Sequence, residues 1–256
     1  MEILKIKNLN LKIREKEILK NVSLEIKEGE VIGLIGESGS GKTIFTKYIL
    51  GILPLAAQYT QETFEVVPKV GAIFQNAFTS LNPTMKIGKQ LKHLYISHYG
   101  TQENWKEKIE SLLEDVGLDK NRNFLDKYPY ELSGGEQQRI VIMGALIGEP
   151  SFLIADEVTT ALDVETKIEV VKFFKRLREK FKISILFITH DLSTLKNFAD
   201  KIYVMYHGEI VDEDHPYRKQ LFQLSQRYRD SQTCWHQSFA HAPVHQWGQD
   251  SRRNHL

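Results

Sequence analysis

Cysteine is nearly absent. Cys234 is the single one in 256 residues, so no internal disulfide can form, and the chain reads as one that works in a reducing compartment. Long apolar runs are missing too: no stretch approaches the roughly 18 residues that a membrane-spanning helix needs. The start, Met1-Glu2-Ile3-Leu4-Lys5-Ile6-Lys7, lacks the apolar core of a signal peptide. Nor is there an excess of charge. With 34 basic and 33 acidic side chains the formal net charge is +1, which gives no electrostatic reason to expect nucleic acid as a partner. The remaining composition, 41% hydrophobic and 26% charged, is that of an ordinary globular protein. These absences together predict a cytoplasmic protein whose contact with a membrane comes through a partner.

Hydrophobic periodicity sets the fold class. Leu4 and Ile6, then Leu9, Leu11 and Ile13, then Val22, Leu24 and Ile26 recur at period two, which predicts half-buried strands. Val31-Ile32-Gly33-Leu34-Ile35 is continuously apolar and predicts a central strand covered on both faces. Phe152 to Ala155, Ile183 to Ile188 and Ile202 to Tyr206 read as further strands. Between them lie helical patterns: Lys42 to Leu50; Trp105, Ile109, Leu112, Leu113 and Val116 with Gly117 as a stop; Ser133 to Gly148; and Ile168, Val171, Phe174 and Leu177 on one face. Strands alternating with helices predict a mostly parallel α/β core. Residues 55 to 70 show no clear pattern, and Ser231 to Leu256, rich in Gln, His and Ser, reads as a tail with little order.

Three motifs carry chemistry. Gly36-Glu37-Ser38-Gly39-Ser40-Gly41-Lys42-Thr43 fits the Walker A pattern and stands between a predicted strand and a predicted helix, the context that the motif requires. Glycines let backbone N–H groups converge on phosphates, and the helix N-terminus adds partial positive charge. Lys42 supplies a full charge to the β- and γ-phosphates of ATP, and Thr43 a hydroxyl to Mg²⁺. Asp156 and Glu157 follow a buried strand, where an acid points into the ligand crevice. Asp156 is placed to hold Mg²⁺ and Glu157 to polarise an attacking water as general base. Leu132-Ser133-Gly134-Gly135-Glu136-Gln137-Gln138-Arg139 offers a second anion cradle, a hydroxyl and bare N–H groups at a capped helix start. One ATP does not need two such cradles from one chain, so Ser133, Gly134 and Gly135 are expected to serve an ATP held by another subunit.

Walker A, Leu-Ser-Gly-Gly-Glu-Gln-Gln-Arg and Ala155-Asp156-Glu157, in this order and spacing, resemble the ATP-binding cassette (ABC) superfamily over roughly residues 1 to 225. The resemblance implies a P-loop cassette: a mixed, mostly parallel core sheet flanked by helices, an N-terminal antiparallel β subdomain, and a helical subdomain at about 84–148 carrying the signature motif. It also implies roles for three further residues. Gln75, in Ile73-Phe74-Gln75-Asn76, is similar to the Q-loop glutamine that contacts Mg²⁺ and the attacking water; Asp163, in Ala161-Leu162-Asp163, to the D-loop aspartate facing the partner; His190, in Ile188-Thr189-His190-Asp191, to the switch histidine at the γ-phosphate. The implied activity is ATP hydrolysis coupled to transport. The implied partners are a second ABC ATPase subunit, integral membrane permeases and, indirectly, an extracytoplasmic substrate-binding protein, with the chain at the cytoplasmic face of the membrane.

Gln75-Asn76-Ala77-Phe78-Thr79-Ser80-Leu81-Asn82-Pro83, Gly51-Ile52-Leu53-Pro54 and His215-Pro216-Tyr217 narrow the resemblance to importers of peptides and nickel, leaving peptide, nickel and metal chelates open as cargo. The cysteine cluster that peptide importers of this group often carry has no counterpart. Other departures are visible. Ile13 or Arg14 stands where such families place an aromatic residue for adenine. Offset stacking is worth about 0.5–1.5 kcal/mol, at most about tenfold in affinity, so ATP and GTP should bind with comparable Kd. The segment from Pro54 to Gln75 is short, so a hairpin of the antiparallel subdomain is expected to be trimmed or missing. Ala77 and Val158 replace two prolines. The cassette is assigned to residues 1–230 and the tail to 231–256, where His236, His241, His245 and His255 lack metal-ligand spacing. Two rivals are a soluble ABC ATPase outside transport, which would carry a coiled-coil insertion or tandem cassettes, and a plain P-loop module, which would lack the Ser133 cradle and His190.

Overall fold

The computed structural model describes residues 1–67, 69–74, 80–160, 162–196 and 198–224. Two sheets form its frame. β1 (Glu2–Ile13) and β2 (Lys16–Lys27) pair as a long antiparallel hairpin, and β1 carries β4 (Ala57–Thr60) and β5 (Thr63–Val66) along its other edge. The alternation read in β1 changes parity between Ile6 and Leu9. The ladder has a register shift there, and Asn8 takes a positive φ of 52°, so a bulge returns Leu9 to the core side.

The second sheet runs β10-β9-β3-β8-β7-β6. It comprises β3 (Val31–Ile35), β6 (Val70–Ile73), β7 (Phe152–Asp156), β8 (Ser184–Thr189), β9 (Lys201–Tyr206) and β10 (Glu209–Val211). All neighbours are parallel except β10 on β9. β3, β7 and β8 are buried along their whole length, as continuous apolar strands must be when both faces are covered. Period two sorts their side chains between two cores. Ile32, Leu34, Phe152, Ile154, Leu186 and Ile188 face the antiparallel sheet and α1 (Lys42–Ile49). Val31, Ile35, Leu153, Ala155, Ile185 and Phe187 face the helices on the other side. Those helices are α2 (Ile87–Tyr99), α3 (Trp105–Asp115), α4 (Gly134–Leu146) and α5 (Val164–Phe181), followed by the short α6 (Leu192–Leu195).

Two sequence expectations change. The unpatterned 55–70 segment holds two strands, β4 and β5, which follow one another along the edge of β1 in a single register and do not pair with each other as a hairpin. Its strands lie on an open edge with most side chains in solvent, and an edge exposed on both faces has no alternation to read. On α5 the buried residues are Val170, Phe173, Phe174 and Leu177, while Ile168 is 49% exposed. At 3.6 residues per turn each three-residue step falls about 60° behind, so 168, 171, 174 and 177 cannot share one face. Phe174 instead meets Phe187 edge-on at 5.3 Å.

Candidate functional site: a phosphate loop and paired acids at the strand ends

The parallel register places the site. Ile35 pairs with Thr189 and Asp156 with Ile188, so the ends of β3, β8 and β7 lie side by side. The loop Gly36–Gly41 leaves β3, His190 leaves β8, and Asp156 and Glu157 end β7. This is the carboxyl edge of a parallel sheet, where ligands bind in α/β folds.

The loop needs its glycines for two reasons. A Cβ on Gly36 would sit 2.2 Å from the Met205 carbonyl oxygen, which is backbone and cannot yield. Gly41, at φ 113°, caps α1 in a conformation that L side chains avoid. The loop also folds onto its own lysine: Lys42 Nζ donates to the carbonyls of Gly36 at 2.7 Å and Glu37 at 2.8 Å. Lys42 is 6% exposed. Burial pulls its ammonium below the ordinary value, opposed by the nearby Glu157, Asp156 and Glu37 carboxylates. Thr43 stands exposed on the first turn of α1.

Asp156 is 5% exposed, and its Oδ1 has no hydrogen-bond partner among the described residues. Burial, with the Glu157 charge adding to it, pushes its carboxyl up to about 6, against the pull of Lys42. A buried, unpartnered carboxylate oxygen beside a phosphate loop fits a hard cation such as Mg²⁺. The raised value also costs stability. The folded state holds this proton up to about pH 6 and the unfolded chain only to about 4, so stability falls as pH rises across that window and stays lowered above it. Without nucleotide, Asp156→Asn should therefore stabilise the protein by up to about 3 kcal/mol at pH 8 and by nothing at pH 4. Melting curves at the two pH values check this; equal shifts at both would contradict it.

Glu157 sits at φ 54°, a left-handed conformation that is strained for a residue with a side chain. Its amide donates to the Ile188 carbonyl at 2.9 Å, which fastens the turn to β8. Oε2 accepts from the Thr160 hydroxyl and lies 2.9 Å from His190 Nδ1. An ionised carboxylate can only accept, so Nδ1 carries the hydrogen and Nε2 is left for another partner. Lys167 of α5 pairs with Asp191 at 2.8 Å, and Asp191 caps α6 directly after His190.

The Ser133–Gly135 turn is elsewhere. Ser133 caps α4 in a reciprocal box: Glu136 N–H donates to Ser133 Oγ at 3.4 Å, and Glu136 Oε2 accepts from Ser133 N–H at 2.9 Å. Ser133, Gly134 and Gly135 are all exposed, and a Cβ on Gly135 would touch nothing within 4 Å. Among the described residues no hydrogen bond or ion pair joins this turn to the Gly36–Thr43 loop. Asp163 is also exposed and caps α5 through Thr166, whose amide donates at 2.9 Å. Val164, 61% exposed, and Ile168 leave an apolar surface beside it. Gln75 lies outside the described residues, as do Ala161 and the 231–256 tail.

Sequence reading missed three supports: Thr160 on Glu157, the Lys167–Asp191 pair, and Gln138 of α4, whose Nε2 donates to the Val158 carbonyl at 2.9 Å. Thr160 is three residues from Glu157 and could have been suspected. The other two span 24 and 20 residues and left no local signal. Ile13 and Arg14 close the β1–β2 hairpin; Arg14 has φ 55° and donates its amide to the Ala56 carbonyl.

A second concave surface of about 880 Å³ opens between the β6 edge, α2 and α4. Phe74, Leu94 and Tyr99 line it and are each more than a third exposed. Phe74 and Ser80, which flank residues 75–79, both border it.

A phosphate loop on β3, an acid pair on β7 and a histidine on β8 define a P-loop nucleoside-triphosphatase. Comparison with known proteins goes further: the ABC transporter family model matches residues 19–160, and the chain belongs to that family as an ATP-binding subunit, an ATPase whose hydrolysis is coupled to transport. It is 36% identical over 248 residues to the oligopeptide transport ATP-binding protein OppD of Bacillus subtilis, covering 84% of this chain and 69% of the relative. It is 38% identical over 219 residues to AmiE of Streptococcus pneumoniae serotype 4, also an oligopeptide transport ATP-binding protein, covering 74% of this chain and 61% of that one. To the dipeptide transport ATP-binding protein DppD of Haemophilus influenzae it is 32% identical, covering 86% and 77%. Among solved structures, cbiO1 of Clostridium perfringens, part of the ABC transporter complex cbiONQ, superposes with a TM-score of 0.70 at 25% identity, covering 82% of this chain and 87% of that one.

Proposed function

We propose that this chain powers a peptide importer by closing on ATP against a second cassette subunit. One observation supports the reading: the Ser133–Gly135 cradle is exposed, and among the described residues no hydrogen bond or ion pair joins it to the loop that holds Lys42, as expected if each chain presents half of two different phosphate sites. Gly36 to Thr43 hold the triphosphate from one side, and Ser133 to Gly135 of the other chain hold it from the opposite side. Asp163, with the exposed Val164 and Ile168 beside it, lies in the same junction. Glu157 orients and deprotonates water, aimed by Thr160 and His190, and His190 stands beside the γ-phosphate. Mg²⁺ held by Asp156, Thr43 and Gln75 would offset phosphate charge.

The peptide cargo rests on the relatives' names; nickel and metal chelates have no comparable support. The groove bounded by Phe74, Leu94 and Tyr99 receives the permease, next to the segment that contains Gln75. No helix among the described residues is long and apolar enough to cross a membrane, which suits a peripheral subunit at the cytoplasmic face. An extracytoplasmic binding protein would act on it only through the permease. The 1–230 cassette, including its 84–148 helical subdomain, is the working unit in this reading.

Affinity purification of the tagged chain from its own membranes tests the proposal. It should bring down two membrane permeases and a cassette subunit, and a Leu94→Glu variant should lose the permeases. Recovery with ribosomes or DNA would favour a soluble ABC ATPase; recovery alone would favour a plain P-loop module.

A further inference from the structure

The face of α2 away from the groove carries a different chemistry. A cleft of about 420 Å³ lies between α2, α3 and the turn Phe124–Asp126, and five lysines line it: Lys86, Lys89, Lys92, Lys106 and Lys120. The carboxylates lining it are Glu110 and Asp126, so the cleft is strongly positive in a chain whose net charge is only +1. Lys86 is satisfied by Asp126 at 3.7 Å and Lys120 by Glu114 at 2.8 Å. Lys89, Lys92 and Lys106 have no carboxylate within ion-pair distance among the described residues. Lys92 instead lies 5.6 Å from the ring centre of Trp105, which is itself half-buried in the cleft wall. The floor is tightly packed: a Cβ on Gly88 would come within 2.8 Å of the Leu125 carbonyl, so α2 lies close against that turn.

Unpaired lysines in one cleft, one of them over an indole ring, suit an anionic surface, where the ammonium groups meet phosphate and the indole sits among headgroups. The groove on the same helix supplies the direction, because the permease placed there brings α2 toward the bilayer. We propose that this cleft binds the phosphate headgroups of anionic phospholipids and holds the helical subdomain to the membrane beside the permease. The inference rests on the permease reading for its orientation, but its test does not use the permease.

The test is sedimentation of the full chain with vesicles of phosphatidylcholine alone and of phosphatidylcholine mixed with phosphatidylglycerol. The chain should partition onto the mixed vesicles only, and less as salt rises. A lysine near an anionic surface is worth about fivefold in partitioning, so joint Lys89→Glu, Lys92→Glu and Lys106→Glu substitution should reduce it by about a hundredfold or more. The triple arginine variant should retain it, and ATP hydrolysis in solution should be unchanged in both. Equal binding to neutral vesicles, binding to neither kind, or a triple-glutamate variant that sediments like the unaltered chain would overturn the proposal. Should the substituted chain fail to fold, the lipid and salt series on the unaltered chain still decide. Loss of permease recovery in Leu94→Glu with vesicle binding intact would separate the groove from the cleft.

Discussion

Glu157→Gln should bind ATP with near-unchanged affinity, lose about 10²–10⁴ in turnover, and accumulate as a closed, ATP-bound dimer. The substitution keeps the shape of the side chain and its contacts with Thr160 and His190, since an amide oxygen also accepts hydrogen bonds. What it removes is the capacity to take a proton from water. The strained turn at φ 54° is fastened by the hydrogen bond from the Glu157 amide to the Ile188 carbonyl and not by the carboxylate, so the fold should be unaffected. ATP binding depends on Lys42 and the loop amides, which the change does not touch. Phosphate release under saturating ATP, with size-exclusion chromatography of the same sample, checks both halves. Near-normal turnover would remove Glu157 from the role of general base and leave its strain without a chemical purpose.

How far the sequence spoke for itself depends on the range of the interaction. Walker A, the Asp156–Glu157 pair and the Ser133 box are local: spacing within a few residues dictates geometry, and the structure places each at a strand end or helix start. The buried strands were equally legible, because a strand covered on both faces has little choice but continuous apolar residues. The parity change between Ile6 and Leu9 coincides with the bulge that the ladder shows there. Legibility failed where burial is partial. β4 and β5 lie on an exposed edge, and the buried face of α5 was misread because its exposed Ile168 is as apolar as its buried Val170. An apolar residue kept in solvent beside Asp163 breaks the pattern of a core helix, as the proposed junction with a second chain would require. The supports of the site were hidden for another reason: Gln138 on Val158 and Lys167 on Asp191 act across the fold.

Gly135→Asp should leave the isolated chain folded and able to bind ATP, yet abolish turnover. The two effects part because the turn has different neighbours in the monomer and in the closed dimer. Within one chain the new side chain meets open space. It replaces glycine near the start of α4, where a carboxylate faces the positive end of the helix. Both changes favour the helix, by up to about 1 kcal/mol. Among the described residues no hydrogen bond or ion pair joins this turn to the Lys42 loop of its own chain, so the monomer's Kd for ATP should not move. In the closed state the same carboxylate would face the γ-phosphate. At about 4 Å and an effective dielectric of about 20, one such pair of like charges costs about 4 kcal/mol, close to a thousandfold in the population of the closed site. The expected result is an unchanged or slightly raised Tm, an unchanged monomer affinity by nucleotide titration, and hydrolysis lower by about three orders of magnitude. Weaker ATP binding by the isolated chain would mean that Gly135 serves its own nucleotide. Normal hydrolysis would mean that no phosphate meets this turn at all. Either result would dissolve the composite site, because the Ser133–Gly135 turn is the part of it that must meet a phosphate held by a neighbour.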